Sequence, residues 1–352
     1  DMVDPAHLGR NIVKGTSGTS GVPLVFEYCE SSESWRQAVR LRGYGWGGYR
    51  LGLPTLHDWG AGGGLPGGFA ERKIRLDRAL RREVYVDAIS QDDVSMREAA
   101  DVLAHVRPHA ILAYAQALVS FARWVDENGL RRWPDTHVLC CAEALMPRDR
   151  EVLARAFGPH VYETYGSRET MLIAAECEAH GGMHLAEENV VVEIAQGGKR
   201  APEGASGDVV VTDLHNLGMP FIRYLNGDVA TMSTEGDCPC GRTLRKLARV
   251  DGRRMDTLRD ANGAPVPGML FASILQLEAG MVRAFQVVQK RSGDVDLNIV
   301  RGGEWNEERF TEATRRLRSY FKGLRLRVTF RDEIPASQSG KRRPIVVERG
   351  GN

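Results

Sequence analysis

Short apolar runs alternate with amphipathic helical patterns through the first half of the sequence, and this alternation restricts the fold more than any other feature. Apolar and β-favouring residues fill positions 109–113 and 137–141, whereas positions 96–105, 117–128 and 148–157 repeat apolar side chains at helical spacing. Segments in this order bury their apolar faces by forming a sheet that helices cover. The sequence therefore predicts an α/β fold for this half.

The second half predicts two more units. After Gly207, strand-like segments are bounded by Gly, Asn and Asp with little helix between them, which predicts a β-rich subdomain. A compact β-β-α-β unit follows Gly252, with its elements at 282–288, 295–300, 306–321 and 324–330. Because 352 residues are enough for two cores, we predict a large α/β domain over residues 1–251 and a small α+β domain over residues 252–352.

Composition excludes several classes of partner. The chain has 47 Lys and Arg against 46 Asp and Glu, and a net charge of +1 leaves no electrostatic footprint for nucleic acid and no basic stripe for a membrane. No apolar run reaches the length of about 18 residues that spans a bilayer, and the start resembles no signal peptide. We therefore predict a cytoplasmic protein. Because a glycine-rich segment follows Asp1 almost at once, we also expect that an N-terminal segment is short or missing.

Residues 14–23, which read KGTSGTSGVP, alternate glycines with hydroxyl side chains. Backbone N–H groups and hydroxyls in such a segment can converge on phosphate oxygens, although a Ser/Thr/Gly run alone is equally typical of a flexible linker. Three more motifs follow in order: YGSRE at 165–169, RYLNGD at 223–228 and PASQSGK at 335–341.

These four motifs, in this order, resemble those of the adenylate-forming superfamily, which contains acyl-CoA synthetases, adenylation domains and luciferases. The resemblance extends from Gly15 to Lys341 and is greatest to phenylacetate-CoA ligases and their relatives in capsular-polysaccharide clusters. It implies a small C-terminal lid and an enzyme that uses ATP and Mg²⁺ to convert a carboxylic acid to an acyl-adenylate, with release of pyrophosphate. Coenzyme A is then the implied acceptor, with a carrier-protein thiol, an amine or a reductase partner as alternatives, and a homodimer is left open.

The resemblance also assigns roles to individual residues. Three groups are implied to be catalytic: Thr16, Glu169 as the Mg²⁺ ligand, and Lys341, whose ammonium neutralises charge at the α-phosphate. The implied nucleotide-binding residues are Ser17, Gly18, Thr19, Ser20 and Gly21 for the phosphates, Glu143, Tyr165, Gly166 and Ser167 for the base and α-phosphate, and Asp228 and Arg253 for the ribose.

Two positions depart from the family pattern. Leu24 stands where the family often carries Lys, and Met255 stands where an acidic or polar hinge residue is usual. The alternative is therefore a catalytically degenerate nucleotide-binding scaffold protein of a biosynthetic pathway. Glu169, Asp228 and Lys341 favour the enzyme, since a pure binder does not need all three.

Three cysteines and a histidine suggest a second kind of site. Cys177, His180, Cys238 and Cys240 form a Cys3His set, which suits a closed, structural zinc site. His184 in place of His180, or a pair of buried thiols without metal, are the alternatives.

An aromatic and glycine-rich stretch at 43–49, with 57–60, suggests a slot for a planar ring, although aromatic side chains of an ordinary core fit equally well. By resemblance, this stretch lines the acyl pocket of an aryl or arylacetic acid. The predicted pocket residues are Tyr44, Trp46, Tyr114, Cys141 and His184.

Overall fold

Twelve strands form one mixed sheet in the computed structural model. The structure describes residues 11–15, 24–59, 68–87, 93–142, 145, 147–253, 258–263, 265–266, 271, 274–275, 281–321, 323–334 and 345–348. Its helices are α1 (Glu30–Trp46), α2 (Phe69–Arg81), α3 (Asp93–Val106), α4 (Ala115–Asn128), α5 (Pro147–Phe157) and α6 (Glu307–Tyr320). Its strands are β1 (Ile12–Gly15), β2 (Val25–Tyr28), β3 (Thr55–Trp59), β4 (Glu83–Asp87), β5 (Ala110–Tyr114), β6 (His137–Cys141), β7 (Val161–Ser167), β8 (Met171–Glu176), β9 (Met183–Leu185), β10 (Val190–Gln196), β11 (Lys199–Arg200), β12 (Ser206–Asp213), β13 (Tyr224–Met232), β14 (Lys246–Arg253), β15 (Leu258–Arg259), β16 (Pro265–Val266), β17 (Val282–Gln289), β18 (Val295–Arg301), β19 (Leu326–Phe330) and β20 (Ile345–Val347).

The large sheet has a parallel half and an antiparallel half. Its order is β11-β10-β12-β13-β14-β9-β8-β7-β6-β5-β3-β4. Strands β3 to β7 pair in parallel, and from the β7–β8 pair onward every pairing is antiparallel. The α/β prediction and the β-rich region after Gly207 are confirmed.

Helices cover both faces of the parallel strands. Successive residues of β5 point to opposite faces, so Ile111 packs with α3, α4 and α5, whereas Leu112 packs with α1. Strand β5 is buried on both faces and is therefore continuously apolar. Helix α1 lies close to β8, because a Cβ on Gly43 would lie 2.3 Å from Leu172 Cδ2. A larger residue at position 43 would have to displace the Leu172 side chain.

Two smaller sheets frame the segments that carry the first and last motifs. Strands β1 and β2 pair on either side of residues 16–23. Strands β19-β18-β17-β20 form a four-stranded sheet, and α6 packs on it in a core that starts at Leu258. Asn306 caps α6 by accepting the backbone N–H of Arg309 at 3.0 Å. The predicted β-β-α-β order is therefore confirmed, with β20 as an additional strand, while the division at residues 251/252 stays a prediction.

Among the described residues, no helix combines the length and the hydropathy that a membrane crossing requires.

A buried histidine of β3 couples folding to pH. His57 stacks on Tyr85 at 4.5 Å between ring centroids, and its Nε2 lies 3.8 Å from Glu83 Oε1, without a hydrogen-bond partner among the described residues. Burial, reinforced by the positive charges of Arg40 and Arg78, lowers the pKa of His57 from 6.5 to about 4. The folded protein therefore holds this ring neutral at mildly acidic pH.

We predict that stability falls as the pH is lowered from 6.5 to about 4, because the unfolded chain gains a proton on His57 before the folded chain does. The full shift corresponds to about 3 kcal/mol of unfolding free energy. His57→Phe keeps an aromatic ring against Tyr85 and should remove most of this slope, as measured by urea unfolding at several pH values across the window. An unchanged slope in the variant would contradict the assignment.

Candidate active site and metal centre

The carboxyl ends of three neighbouring parallel strands carry residues that the sequence assigns to substrate and nucleotide. Strand β5 ends at Tyr114 and β6 at Cys141, and these two residues are register partners. Strand β7, which pairs with β6, ends at Ser167. Directly after β6, Ala142 adopts a left-handed conformation with a φ of 70°, which is strained for a non-glycine residue and typical of functional turns. Since ligands of open parallel sheets bind at this edge, it defines the candidate active site.

A chain of hydrogen bonds fixes the carboxylate of Asp228 on β13. The Tyr165 hydroxyl donates to Asp228 Oδ2 at 2.8 Å, and Asn226 Nδ2 donates to the Tyr165 oxygen at 2.7 Å. Asn226 Oδ1 also accepts the backbone N–H of Asp228 at 3.0 Å. All three side chains are buried. A carboxylate held in this way is suited to accept hydrogen bonds from a diol such as ribose.

Arg253, the second predicted ribose residue, pairs with Asp228 across β13 and β14. Its backbone therefore lies next to the ribose candidate, as the sequence prediction requires, although its side chain is not among the described ones.

The turn after β7 depends on Gly166. A bulge displaces the register of β7 and β8 at this point, and a Cβ on Gly166 would lie 2.0 Å from the Met171 carbonyl oxygen. Any side chain would therefore push the two strands apart. Ser167 closes the turn, because its Oγ accepts the backbone N–H of Thr170 at 3.3 Å and lies 3.1 Å from Thr170 Oγ1. Thr170 was not predicted from the sequence.

Glu169 lies in this turn and is 5% exposed. Tyr224 donates its hydroxyl hydrogen to Glu169 Oε1 at 3.0 Å, and within the described part of the chain no donor reaches Oε2. From α1, Arg36 donates to the backbone carbonyl of Glu169 at 2.5 Å and to that of Arg168. An oriented carboxylate with an oxygen not engaged by these residues fits the predicted magnesium ligand, since Mg²⁺ prefers hard oxygen ligands and keeps several waters.

Several predicted residues lie outside the described residues. They are Thr16, Ser17, Gly18, Thr19, Ser20 and Gly21 of the phosphate segment, Glu143, and Lys341. Their assignments stay predictions.

Four metal-ligating side chains come together at the junction of β8, β9 and β14. The potential ligand atoms of Cys177, His184, Cys238 and Cys240 all lie within 4.8 Å of one another. The Sγ atoms of Cys177 and Cys238 are 3.7 Å apart, and Cys240 Sγ is 3.3 Å from His184 Nε2. Zinc–sulfur bonds of about 2.3 Å in a tetrahedron place two sulfurs roughly 3.8 Å apart, so the cluster fits a zinc ion.

Two features of the surroundings favour metal binding by the cluster. His184 Nδ1 lies 3.0 Å from the Leu244 carbonyl oxygen, which selects the tautomer whose Nε2 faces the sulfurs. Burial raises the pKa of Cys240, but hydrogen bonds from the backbone and side chain of Arg242 and from the neighbouring thiols outweigh this effect and lower it to about 6. Such a thiol is readily deprotonated, and the thiolate is the form that binds metal.

His180 is not part of this cluster, and its predicted role as the fourth ligand is wrong. Its Nδ1 lies 2.9 Å from Glu176 Oε1, and its ring stacks on Tyr162 at 5.0 Å. Residue 180 has a φ of 53°, and the left-handed turn directs the ring toward β7. His184, the stated alternative, takes the fourth position.

His180 instead belongs to a polar network centred on Arg150. Arg150 Nη2 lies 3.0 Å from Glu176 Oε2 and 3.3 Å from Glu163 Oε2. Glu163 Oε1 accepts the backbone N–H of Leu145 at 2.9 Å. Burial raises the pKa of Glu163. The network therefore attaches Leu145 to β7.

The structure divides the predicted pocket residues between two places. Trp46 lies against His184, with ring centroids 5.7 Å apart, so both belong to the surroundings of the cysteine cluster. Tyr44 hydrogen bonds Cys141 and remains with Tyr114 near the strand ends. Burial raises the pKa of Cys141 to about 11, which makes this residue a neutral wall and a poor nucleophile.

Arg36, which contacts the backbone of the Glu169 turn, and Asp213, which lies beside Arg36, were not predicted from the sequence motifs. A signal for Arg36 existed, because Ser32, Arg36, Val39 and Gly43 share the buried face of α1, and a charge on such a face needs a partner. Asp213 ends β12 and gave no signal of its own.

Comparisons with known proteins identify similar sequences. The phenylacetate-coenzyme A ligase of Thermus thermophilus is 26% identical over 308 residues, which are 81% of this chain and 63% of that protein. The corresponding ligase of Pseudomonas putida is 22% identical over 80% of this chain and 63% of its own length. No protein-family model matches the chain.

Solved structures show the same fold. A 2-hydroxyisobutyryl-CoA ligase in complex with 2-HIB-AMP and CoA superposes with a TM-score of 0.60 at 19% identity, over 96% of this chain and 74% of that one. The amide bond synthetase McbA from Marinactinospora thermotolerans gives 0.51 at 18% identity, over 96% and 68%. The chain therefore has the fold of these solved enzymes and is similar in sequence to phenylacetate-CoA ligases. It spans 63% of the length of the first two curated relatives.

Proposed function

We propose that the protein activates a carboxylic acid with ATP, forming an acyl-adenylate and releasing pyrophosphate. The observation that carries this proposal is the buried Tyr165–Asp228–Asn226 group, with Glu169 four residues after Tyr165 in the adjoining turn. This arrangement offers one fixed carboxylate for a ribose and a second for a metal beside the phosphates. A protein that only bound nucleotide would not need the second carboxylate.

The residues of this chain act mainly by positioning charge. Asp228, with Arg253, would orient the ribose, and residues 16–21 would bind the β- and γ-phosphates. Glu169 would hold Mg²⁺, which neutralises phosphate charge when bound. The substrate carboxylate attacks the α-phosphorus as the bond to the pyrophosphate oxygen breaks, and Lys341 would stabilise the charge that develops there.

The relatives suggest the substrate class and the acceptor. Both curated relatives are named for phenylacetate and coenzyme A, which supports an aryl or arylacetic acid and transfer of the acyl group to coenzyme A. Tyr44 and Tyr114, near the strand ends, would supply flat walls for a planar ring. A carrier-protein thiol is the second candidate acceptor, because the first half-reaction would be the same.

ATP–pyrophosphate exchange tests the proposal. Labelled pyrophosphate should enter ATP when the protein is given Mg²⁺ and its acid, and a panel of aryl, arylacetic and aliphatic acids would identify the class. ATP binding without exchange for any acid would favour the alternative, a degenerate nucleotide-binding scaffold.

Lys341→Ala should lower this exchange about 100-fold or more, because the variant loses one charge-assisted contact to the transition state. Arg342→Ala is the matched control, since it removes the neighbouring cation and should leave exchange within about twofold of the wild type. Near-normal exchange by the Lys341 variant would remove this residue from the site.

We also propose that Cys177, His184, Cys238 and Cys240 bind one structural zinc ion. Four protein ligands leave no open coordination position, so a metal here would stabilise the loops between β8, β9 and β14 without taking part in the reaction. Trp46 and Arg242, whose guanidinium carbon lies 4.9 Å from the Trp46 ring centre, would cover it.

A further inference from the structure

A buried arginine on α1 is connected to the backbone on which the candidate magnesium ligand is mounted. Arg36 is 3% exposed. Its two terminal nitrogens donate to two consecutive carbonyl oxygens, those of Arg168 and Glu169. Its guanidinium carbon lies 4.3 Å from the centre of the Tyr28 ring on β2. One planar group therefore contacts both the turn that presents Glu169 and the strand that leaves residues 16–23.

Asp213 supplies the opposite charge. Its Oδ2 lies 3.9 Å from Arg36 Nη1, and both side chains are almost completely buried. That oxygen has no hydrogen-bond partner among the described residues, so its interaction with Arg36 is electrostatic. The other oxygen, Oδ1, accepts the backbone N–H groups of His215 and Asn216 at 2.9 and 3.1 Å. Asp213 thus joins the guanidinium to the loop after β12.

Asn216 extends this connection to β2. Its Nδ2 donates to the backbone carbonyl of Glu27 at 2.9 Å, and its Oδ1 accepts the backbone N–H of Cys29 at 3.4 Å. The same side chain also binds the Met219 backbone. A continuous set of buried polar contacts therefore runs from β2 through Asn216, Asp213 and Arg36 to the carbonyl of Glu169.

We infer that Arg36 is a positioning residue, which with Asp213 fixes the Glu169 carboxylate relative to the strand that leaves the phosphate segment. The inference rests on the proposed function, because it assigns Arg36 a role in presenting Glu169 to magnesium. Placing a cation in a core is costly. At this position the planar guanidinium donates to two carbonyls at once, a geometry that neither lysine nor an apolar residue can reproduce. The tyrosine–carboxylate contact from Tyr224 to Glu169 orients the acid group itself, whereas Arg36 orients its backbone.

The magnesium dependence of ATP binding and exchange tests this role. In Arg36→Met, the magnesium concentration for half-maximal exchange should rise about tenfold or more, as is typical when a group that orients a metal ligand is lost. The KM for the acid should change by less than about twofold, because the acid does not contact this network. Arg36→Lys keeps the charge but not the fork of N–H donors. Its magnesium concentration for half-maximal exchange should lie between those of the wild type and Arg36→Met. Arg97→Met is the control, since Arg97 also stacks on an aromatic ring, that of Trp124 on α4, far along the chain from Glu169.

A second measurement and a second variant separate the role of Arg36 from the proposed function. Binding of Mn²⁺ in the presence of a non-hydrolysable ATP analogue, followed by electron paramagnetic resonance, reports on the metal site without any acid. Asp213→Asn keeps an acceptor for His215 and Asn216 but removes the charge, so it provides a second variant if Arg36→Met does not fold. Equal metal dependence in the wild type and in the folded variants would overturn the role of Arg36 while leaving the proposed function intact. If the wild type neither bound Mn²⁺ with the nucleotide nor showed exchange, both the role of Arg36 and the proposed function would be overturned.

Discussion

Asp228→Ala should lower kcat/KM for ATP in the exchange reaction about 100-fold or more, since two hydrogen bonds to a charged acceptor contribute about 1.5–3 kcal/mol each. The carboxylate is buried and held by the Tyr165 hydroxyl at 2.8 Å, so no reorganisation is needed before it meets a ribose. Asp228→Asn has the same shape and is the sharper test. Its amide keeps one acceptor and replaces the other by a donor that would face a ribose hydroxyl or Tyr165.

Tyr165→Phe separates the orientation of the Asp228 carboxylate from its charge. The variant keeps the ring but loses the hydroxyl that orients Asp228 and accepts from Asn226. We expect kcat/KM for ATP to fall about tenfold, which is appropriate to the loss of one hydrogen bond to a charged group. Asp77→Ala, on the exposed surface of α2, controls for the removal of a carboxylate. If Asp228→Ala exchanged at the wild-type rate with an unchanged KM for ATP, Asp228 would have no part in nucleotide binding.

The sequence predicted the parallel half and the C-terminal unit well because their signals are local. Strand β5 is a continuous apolar run and α6 begins at an Asn306 cap, and both features follow from residues a few positions apart. The domain limit at 251/252 depends on how β14 and the following core divide the chain, which no local pattern specifies. The order of the antiparallel strands, with β14 inserted between β13 and β9, is likewise set by pairings between distant segments.

The site shows the same division between local and distant information. Tyr165, Gly166, Ser167, Glu169 and Asp228 could be proposed from the sequence because each lies in a short motif with a characteristic spacing. The sequence could not decide between His180 and His184 as the histidine of the cysteine cluster, because both follow Cys177 at plausible distances and only the pairing of β9 with β14 brings His184 toward Cys240. Arg36 reaches residues more than 130 positions away. A contact of that kind has no sequence signature beyond a charge on an apolar helix face.

His184→Asn should release about one zinc ion per chain, whereas His180→Asn should release none, and this contrast is the second large effect that we expect. Each substitution removes one imidazole, and the two positions are four residues apart. Only His184 lies with the three sulfurs, whereas His180 Nδ1 contacts the Glu176 carboxylate. Loss of the metal leaves three close thiols without a common partner. We expect the thermal midpoint of the His184 variant to fall by about 10 °C, which corresponds to a few kcal/mol in a domain of this size.

Metal content by atomic absorption and unfolding with and without a chelator measure this prediction. Cys238→Ser with Cys240→Ser should behave like His184→Asn, because these residues supply two of the four ligands. Since a closed site takes no part in catalysis, exchange activity well below the lowered midpoint should stay within about threefold of the wild type. Retention of zinc by the His184 variant would exclude the proposed ligand set. Complete loss of exchange in a variant that is still folded would instead mean that the metal also fixes the geometry of the active site. Strand β14, which pairs with the strand that carries Asp228, would transmit this effect.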